Sequence, residues 1–217
     1  MNSLLEVFQR PDFLTQLTVH VELSVVALLI GVAIALPAAI AVSRSPLAST
    51  IVINIANTGR AVPSLAILAL VFPLLGFGFA PSLVALVLLA IPPILINAST
   101  GLMQVSPQVI DAARGMGLSG GQILGRIQLP IAAPVIFAGI RTSAVQVVAS
   151  ATLATFIGGG GLGELIVLGF QRNDLAIQIG GSLAVAMLAI ITEISFGVLE
   201  RTFTPKGLRI ARNRRGK

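Results

Sequence analysis

Leu65-Ala66-Ile67-Leu68-Ala69-Leu70-Val71 is apolar at every position, and it lies inside a run of 50 residues, 61–110, without one charged side chain. A membrane barrel strand alternates apolar and polar residues over about ten positions, and this segment does not alternate. In lipid every backbone N–H and C=O must be paired within the protein, which leaves the helix as the spanning form. A hydrocarbon core about 30 Å thick takes roughly 20 residues of helix. The run is therefore too long for one span and too short for three with loops, and Gly76-Phe77-Gly78-Phe79-Ala80-Pro81 supplies a turn in its middle. Shorter uncharged runs follow the same logic at 23–43, 142–163 and 175–192. The reading is an all-α integral membrane protein with five spans, near 18–42, 51–75, 81–101, 132–157 and 177–200.

Composition agrees. Of 217 residues 55% are hydrophobic and 10% charged, against about 25% charged in a soluble domain, and the mean hydropathy is +0.98. Too few polar groups exist to cover a soluble globule, which excludes disorder and almost any cytosolic enzyme. Cys 0 excludes a disulfide scaffold and thiol chemistry. Ten basic residues collect on one side of the five spans: Arg44, Arg114, Arg126, Arg201, Lys206, Arg209, Arg212, Arg214, Arg215 and Lys217. Arg10 and Arg172 fall on the other. That bias predicts N-out, C-in. Residues 1–17 then form an extracytoplasmic segment, of which 4–17, interrupted by Pro11, read as a short amphipathic stretch on the outer surface. Met1-Asn2-Ser3-Leu4-Leu5-Glu6 lacks the basic start of a cleavable signal. Residues 201–217 make a basic cytoplasmic tail resting on anionic lipid, so the net charge of +6 is a topology anchor and not a nucleic-acid footprint.

The inner loop 106–130 is longer than the roughly 2–8 residues of a mere connector. Ser106 before Pro107 reads as a helix N-cap with proline at the first position. Val109, Ile110, Ala113 and Met116 make an apolar stripe, and Gly117 stands where a helix ends in a left-handed residue. Ser119-Gly120-Gly121-Gln122 has capping-box spacing and opens a second helix, which Leu129-Pro130 is expected to stop as span four begins. The product is a helix–Gly–helix elbow on the cytoplasmic face, suited either to docking in a groove of another protein or to lying on lipid.

Asp111-Ala112-Ala113, three residues, Gly117, nine residues, then Ile127-Gln128-Leu129-Pro130 resembles the Glu-Ala-Ala loop of type I ABC-importer permeases, with Asp111 where glutamate is usual. The resemblance implies that the loop, including Arg114, is the coupling helix that enters a cleft of a cytoplasmic ATPase. Thr58-Gly59-Arg60-Ala61-Val62-Pro63-Ser64-Leu65-Ala66, Ala138-Gly139-Ile140-Arg141-Thr142, Phe156-Ile157-Gly158-Gly159-Gly160-Gly161-Leu162-Gly163 and Leu199-Glu200-Arg201-Thr202-Phe203-Thr204-Pro205-Lys206-Gly207-Leu208 are similar to the osmoprotectant branch, whose members carry glycine betaine, choline, carnitine and related solutes. It also implies a cytoplasmic ATPase dimer, a second permease copy or paralogue, an extracytoplasmic substrate-binding protein and a place in the bacterial inner membrane. No Walker A run is present, so no cofactor is expected on this chain and ATP with magnesium belongs to a partner.

Single residues inside the spans bear on the path. Arg60 and Arg141 are expected either to line or brace a gate or to snorkel to the inner interface; Gly59, Pro63 and Ser64 mark a discontinuity beside Arg60. Gln146 and Ser150, one turn apart, are path-lining candidates, and Gly160 and Gly161 read as a hinge or close-packing run at the outer mouth. Gly158–Gly163 fits a dinucleotide fingerprint in letters but follows a membrane helix, not a strand. Glu193 reads as one half of a structural ion pair with Arg60 or Arg141. Ala27, Gly31, Ala35 and Ala39 read as a packing stripe, and His20, alone, as neither metal ligand nor catalyst. With no metal or catalytic constellation, the expected function is a permease subunit for an osmoprotectant. A methionine or other amino-acid permease is the nearest alternative. An ion-coupled carrier is more remote, since midplane carboxylates and an inverted repeat are missing. Trp 0 and Tyr 0 argue against a tight cation–π cage for a quaternary ammonium group and place high-affinity capture on a separate receptor.

Overall fold

The computed structural model describes residues 4–203, and every regular element among them is helical. The elements are α1 (Leu4–Phe8), α2 (Phe13–Val42), α3 (Pro46–Arg60), α4 (Ser64–Leu75), α5 (Phe79–Met103), α6 (Pro107–Gly115), α7 (Gly120–Ile123), a π turn (Leu124–Gln128), α8 (Leu129–Ala151), a 3-10 stretch (Thr152–Ile157), α9 (Gly163–Arg172) and α10 (Leu175–Phe203). The basic tail beyond Phe203 lies outside the described residues. In the expected orientation the end bearing Arg44, Arg114 and Arg126 is the inner one.

Four continuous helical stretches are long and apolar enough to cross a membrane: α2, α5, Gly120–Ile157 and Leu175–Thr202. The expected second span, 51–75, is not one helix. It is α3 and α4 meeting at 91° across residues 61–63. Pro63 has no N–H for the ladder and disfavours helical backbone at Val62 before it, so the chain leaves the helix and re-enters it with Pro63 as an extended N-cap. Gly76 and Gly78 then make the turn into α5.

α5 is the hub, flanked by α2 and α8 and crossed by α3 and α4. Lipid tails are as apolar as the helices, so association rests on close packing. Ala27, Ala35 and Ala39 are fully buried, and a Cβ on Gly31 would stand 2.7 Å from that of Ala90 on α5. The small-residue stripe of α2 is thus the seam against the hub. Ser143 of α8 donates its hydroxyl to the Ala90 carbonyl at 2.9 Å on the other flank.

Three boundaries depart from expectation. The outer-surface stretch 4–17 is divided: Val7 is buried against Gly180 of α10, while 13–17 are already the first turns of α2. Leu129-Pro130 does not stop a helix. Gly120–Ile157 runs on as one 38-residue helical rod, because the Leu129 N–H bonds the Leu124 carbonyl and the widened turn re-registers the ladder just before the proline. Span five begins at Leu175, where Asp174 caps the N–H groups of Ala176 and Ile177 at 2.9 and 3.3 Å.

Candidate functional site

The elbow is built by local chemistry. Ser106 has the extended backbone of an N-cap, but its hydroxyl goes to the Gln108 side chain and not to a backbone N–H. The expected side-chain cap, in which the hydroxyl would accept from a backbone N–H, is not made: the hydroxyl is turned toward Gln108 as a donor. α6 closes at Gly117, whose φ of +83° is the left-handed region. The Gly117 N–H reaches the Arg114 carbonyl at 2.9 Å and the Leu118 N–H the Ala113 carbonyl at 3.1 Å, the reverse turn that glycine permits at a helix end. Ser119 then accepts from the Gln122 N–H at 3.4 Å while the Gln122 side chain accepts from the Ser119 N–H at 2.8 Å, a complete capping box.

The expected stripe is only part buried. Ala113 is 1% exposed and Ile110 half-buried, whereas Val109 and Met116 are exposed, Met116 at 72%. Ala112 is exposed; Asp111 and Arg114 form a 3.3 Å ion pair with both side chains 69% exposed. Ile127, Leu129 and Pro130 are half-buried where the rod leaves the elbow. Between elbow and α2 lies a cavity of about 480 Å³ lined by Ile40, Ser43, Arg44, Ile110, Arg114 and Gln128 among others.

At the break in span two, Arg60 and Pro63 are exposed and Ser64 half-buried. Arg60 meets no carboxylate among the described residues. Arg141 has two: its guanidinium donates to Glu193 and, at 3.2 Å, to Glu200. Gly197 lies between these acids, and a Cβ there would come within 3.5 Å of the guanidinium. Glu193 therefore pairs with Arg141 and not Arg60. Glu200 escaped the sequence reading, although Glu193, Gly197 and Glu200 share one helix face at i, i+4, i+7. Gln146 is half-buried and Ser150 buried.

At the rod's outer end, Gly158, Gly160 and Gly161 all have positive φ. Gly160 is half-buried and Gly161 buried. The loop is stitched to α2: Gln16 accepts from the Gly161 N–H at 2.9 Å, and His20 Nδ1 accepts from the Leu162 N–H at 3.3 Å. With Nδ1 accepting, His20 Nε2–H donates to the Val148 carbonyl at 2.9 Å. His20 is fully buried, and it joins span one, span four and the loop. Sequence reasoning missed this role. Gln16 and His20 stand at i, i+4 on one face, but nothing local names their partners, more than 120 positions away. Among the described residues no group of three His, Cys, Asp or Glu could hold a metal.

Residues 27–206 match the family described as binding-protein-dependent transport system inner membrane component. The chain is 40% identical to the carnitine transport permease protein OpuCB of Listeria monocytogenes, covering 98% of both chains. It is 41% identical to the glycine betaine/carnitine/choline transport system permease protein OpuCB of Bacillus subtilis, covering 87% of each. Identity to the osmoprotectant import permease protein OsmW of Salmonella typhimurium is 33%, over 96% of this chain and 100% of that one. In fold it is similar to a chain of the inward-facing MetNI methionine ABC transporter, with a TM-score of 0.77 and 20% identity over 89% of this chain and 96% of the other.

Proposed function

The chain belongs to the family of binding-protein-dependent transport system inner membrane components, and from that premise we propose that it forms the path for glycine betaine, choline, carnitine or a related onium solute, with its elbow driven by a cytoplasmic ATPase. It is a multi-pass permease subunit of an ABC importer and not an enzyme. The solute class is supported by the names of relatives at 33 to 41% identity over most of the chain. The methionine alternative has the fold of a distant relative behind it and no more.

The observation that carries the mechanism is continuity. The elbow's second limb and span four are one 38-residue helical rod. A force on the elbow's second limb is therefore carried along one continuous helix to the outer glycine loop, and Asp111, Ala112, Ala113, Arg114 and Gly117 reach that limb through the hydrogen-bonded turn at Gly117. Two permease chains, as copies or paralogues, enclose the path, and nucleotide-driven closure of two ATPases moves the elbows and biases inward- against outward-open states. An extracytoplasmic receptor supplies the affinity that this chain, without Trp or Tyr, lacks. Arg60, Pro63 and Ser64 border the path at the break, and the Arg141–Glu193–Glu200 cluster fastens span five to the rod.

The test is uptake in a host without its own osmoprotectant transport, with the cognate ATPase and receptor co-expressed. The expected result is ATP-dependent accumulation of labelled glycine betaine, choline or carnitine, blocked by the other two and not by methionine. Uptake driven by an ion gradient without the ATPase, or competition by methionine, overturns the proposal.

A further inference from the structure

One face of α5 is covered at both ends and bare in the middle. Toward the outer end Pro81 and Ala85 are buried, with Leu68 and Val71 of α4 packed against Ala85. Toward the inner end Leu95, Ser99 and Leu102 are buried, with Val52 and Ala56 of α3 over that region. Between them Val84 is 40% and Leu88 48% exposed, although Ala85, Leu86, Val87, Leu89 and Ala90 around them are all buried. The two helices that cover the ends, α3 and α4, diverge at 91°.

This window is also where the backbone is short of donors. Leu88 is near the middle of a 25-residue span. Its carbonyl would bond the N–H of residue 92, and Pro92 has none. A carbonyl without a donor is poorly tolerated against hydrocarbon and is accommodated where it meets protein or water. The same face, at i, i+4, i+7 and i+11 from Leu88, runs through Pro92 and Leu95 to Ser99. The Ser99 hydroxyl is fully buried and finds no partner among the described residues.

We infer that the strip of α5 formed by exposed Val84 and Leu88 with half-buried Pro92 at its inner end is a wetted wall of the translocation path, and that the Leu88 carbonyl is a dipole which the onium group of the solute meets at mid-membrane. The second half rests on the proposed solute class. A carbonyl attracts an onium charge weakly and without a cage, which suits a passage better than a binding site and suits a chain with Trp 0 and Tyr 0.

Cys 0 makes single-cysteine chemistry clean. Leu88→Cys is placed in the assembled, ATP-cycling transporter in membrane vesicles and exposed to a trimethylammonium methanethiosulfonate reagent. The expected result is modification that stops uptake and is slowed by excess glycine betaine. A cysteine that stays inert, or that forms a disulfide with a second copy while remaining closed to the reagent, overturns the wall. Modification without protection by any onium solute keeps the wall and overturns the encounter of the onium group with Leu88, while the solute class stands or falls with the uptake assay. Pro92→Ala returns the missing N–H and favours the helix. Uptake should then fall about tenfold while receptor-stimulated ATP hydrolysis persists; unchanged uptake overturns the carbonyl's role.

Discussion

Span four ends in two bends of opposite construction. The inner elbow is held by itself: the Ser119–Gln122 capping box, the Gly117 reverse turn and the Asp111–Arg114 pair all join residues within five positions of one another. Its tip faces outward, with Met116 72% exposed. The outer glycine loop has local turns of its own, with the Gly158 and Gly159 N–H groups on the Thr155 and Ala154 carbonyls at 3.1 and 2.8 Å, but it is also held by others: Gln16, His20 and the Gly78 N–H, which donates to the Ile157 carbonyl at 2.7 Å. A self-contained, protruding bend can be gripped by a second protein without disturbing the bundle. A loop tied to span one and to the start of α5 moves only with them. On the mechanism proposed above, the difference suits the ends to separate tasks, handle and seal.

The widest contrast comes from removing one residue at each end. His20→Leu leaves the Val148 carbonyl and the Leu162 N–H unpaired in a buried site, about 1–3 kcal/mol for each group. It should lower thermal stability in detergent and abolish uptake together; normal stability and transport would mean the stitching is dispensable. Gly117→Val forces a β-branched residue to positive φ, a strain of about 1–2 kcal/mol confined to an exposed turn where a Cβ meets nothing within 4 Å. Insertion and thermal stability should stay near those of the parent while uptake is lost. If stability fell as far as with His20→Leu, the elbow would not be the self-contained element described.

The smallest effect belongs to Asp12, which holds Arg10 through two hydrogen bonds of 3.0 and 3.2 Å just ahead of α2. The Arg10 hydrogen bond keeps the Asp12 carboxyl below the ordinary carboxylate range. The pair's contribution is therefore complete above about pH 4 and is lost as pH falls through the lowered folded value. A half-buried pair at the surface, of this kind, contributes about 1 kcal/mol. Asp12→Asn should change neutral-pH stability little and flatten the acid side of a stability–pH curve; a large loss at pH 7 would move Asp12 into the group that holds the outer end.

What could be read from the chain was what neighbours in sequence decide. The uncharged runs, the turn at Gly76–Pro81, the capping box and the left-handed Gly117 each depend on residues a few places apart. The 91° break was visible as Gly59 and Pro63, but not its angle, which is set by where α3 and α4 pack on α5. Leu129-Pro130 misled because proline ends an α-helix by local rules, and a π turn evades them. His20, Gln16 and Glu200 lay beyond reach for the converse reason: their partners Leu162, Gly161 and Arg141 are 142, 145 and 59 positions away, and only packing brings them together.

The central claim is that the elbow is the handle. It is tested by placing one cysteine at Met116 in this cysteine-free chain, with the cognate ATPase co-expressed, and applying a short thiol-to-amine crosslinker to the membranes. The account predicts a covalent adduct of permease and ATPase from Met116→Cys, and none from Phe156→Cys at the rod's other end, which is 58% exposed. No adduct at Met116, or equal adducts from both positions, would contradict it.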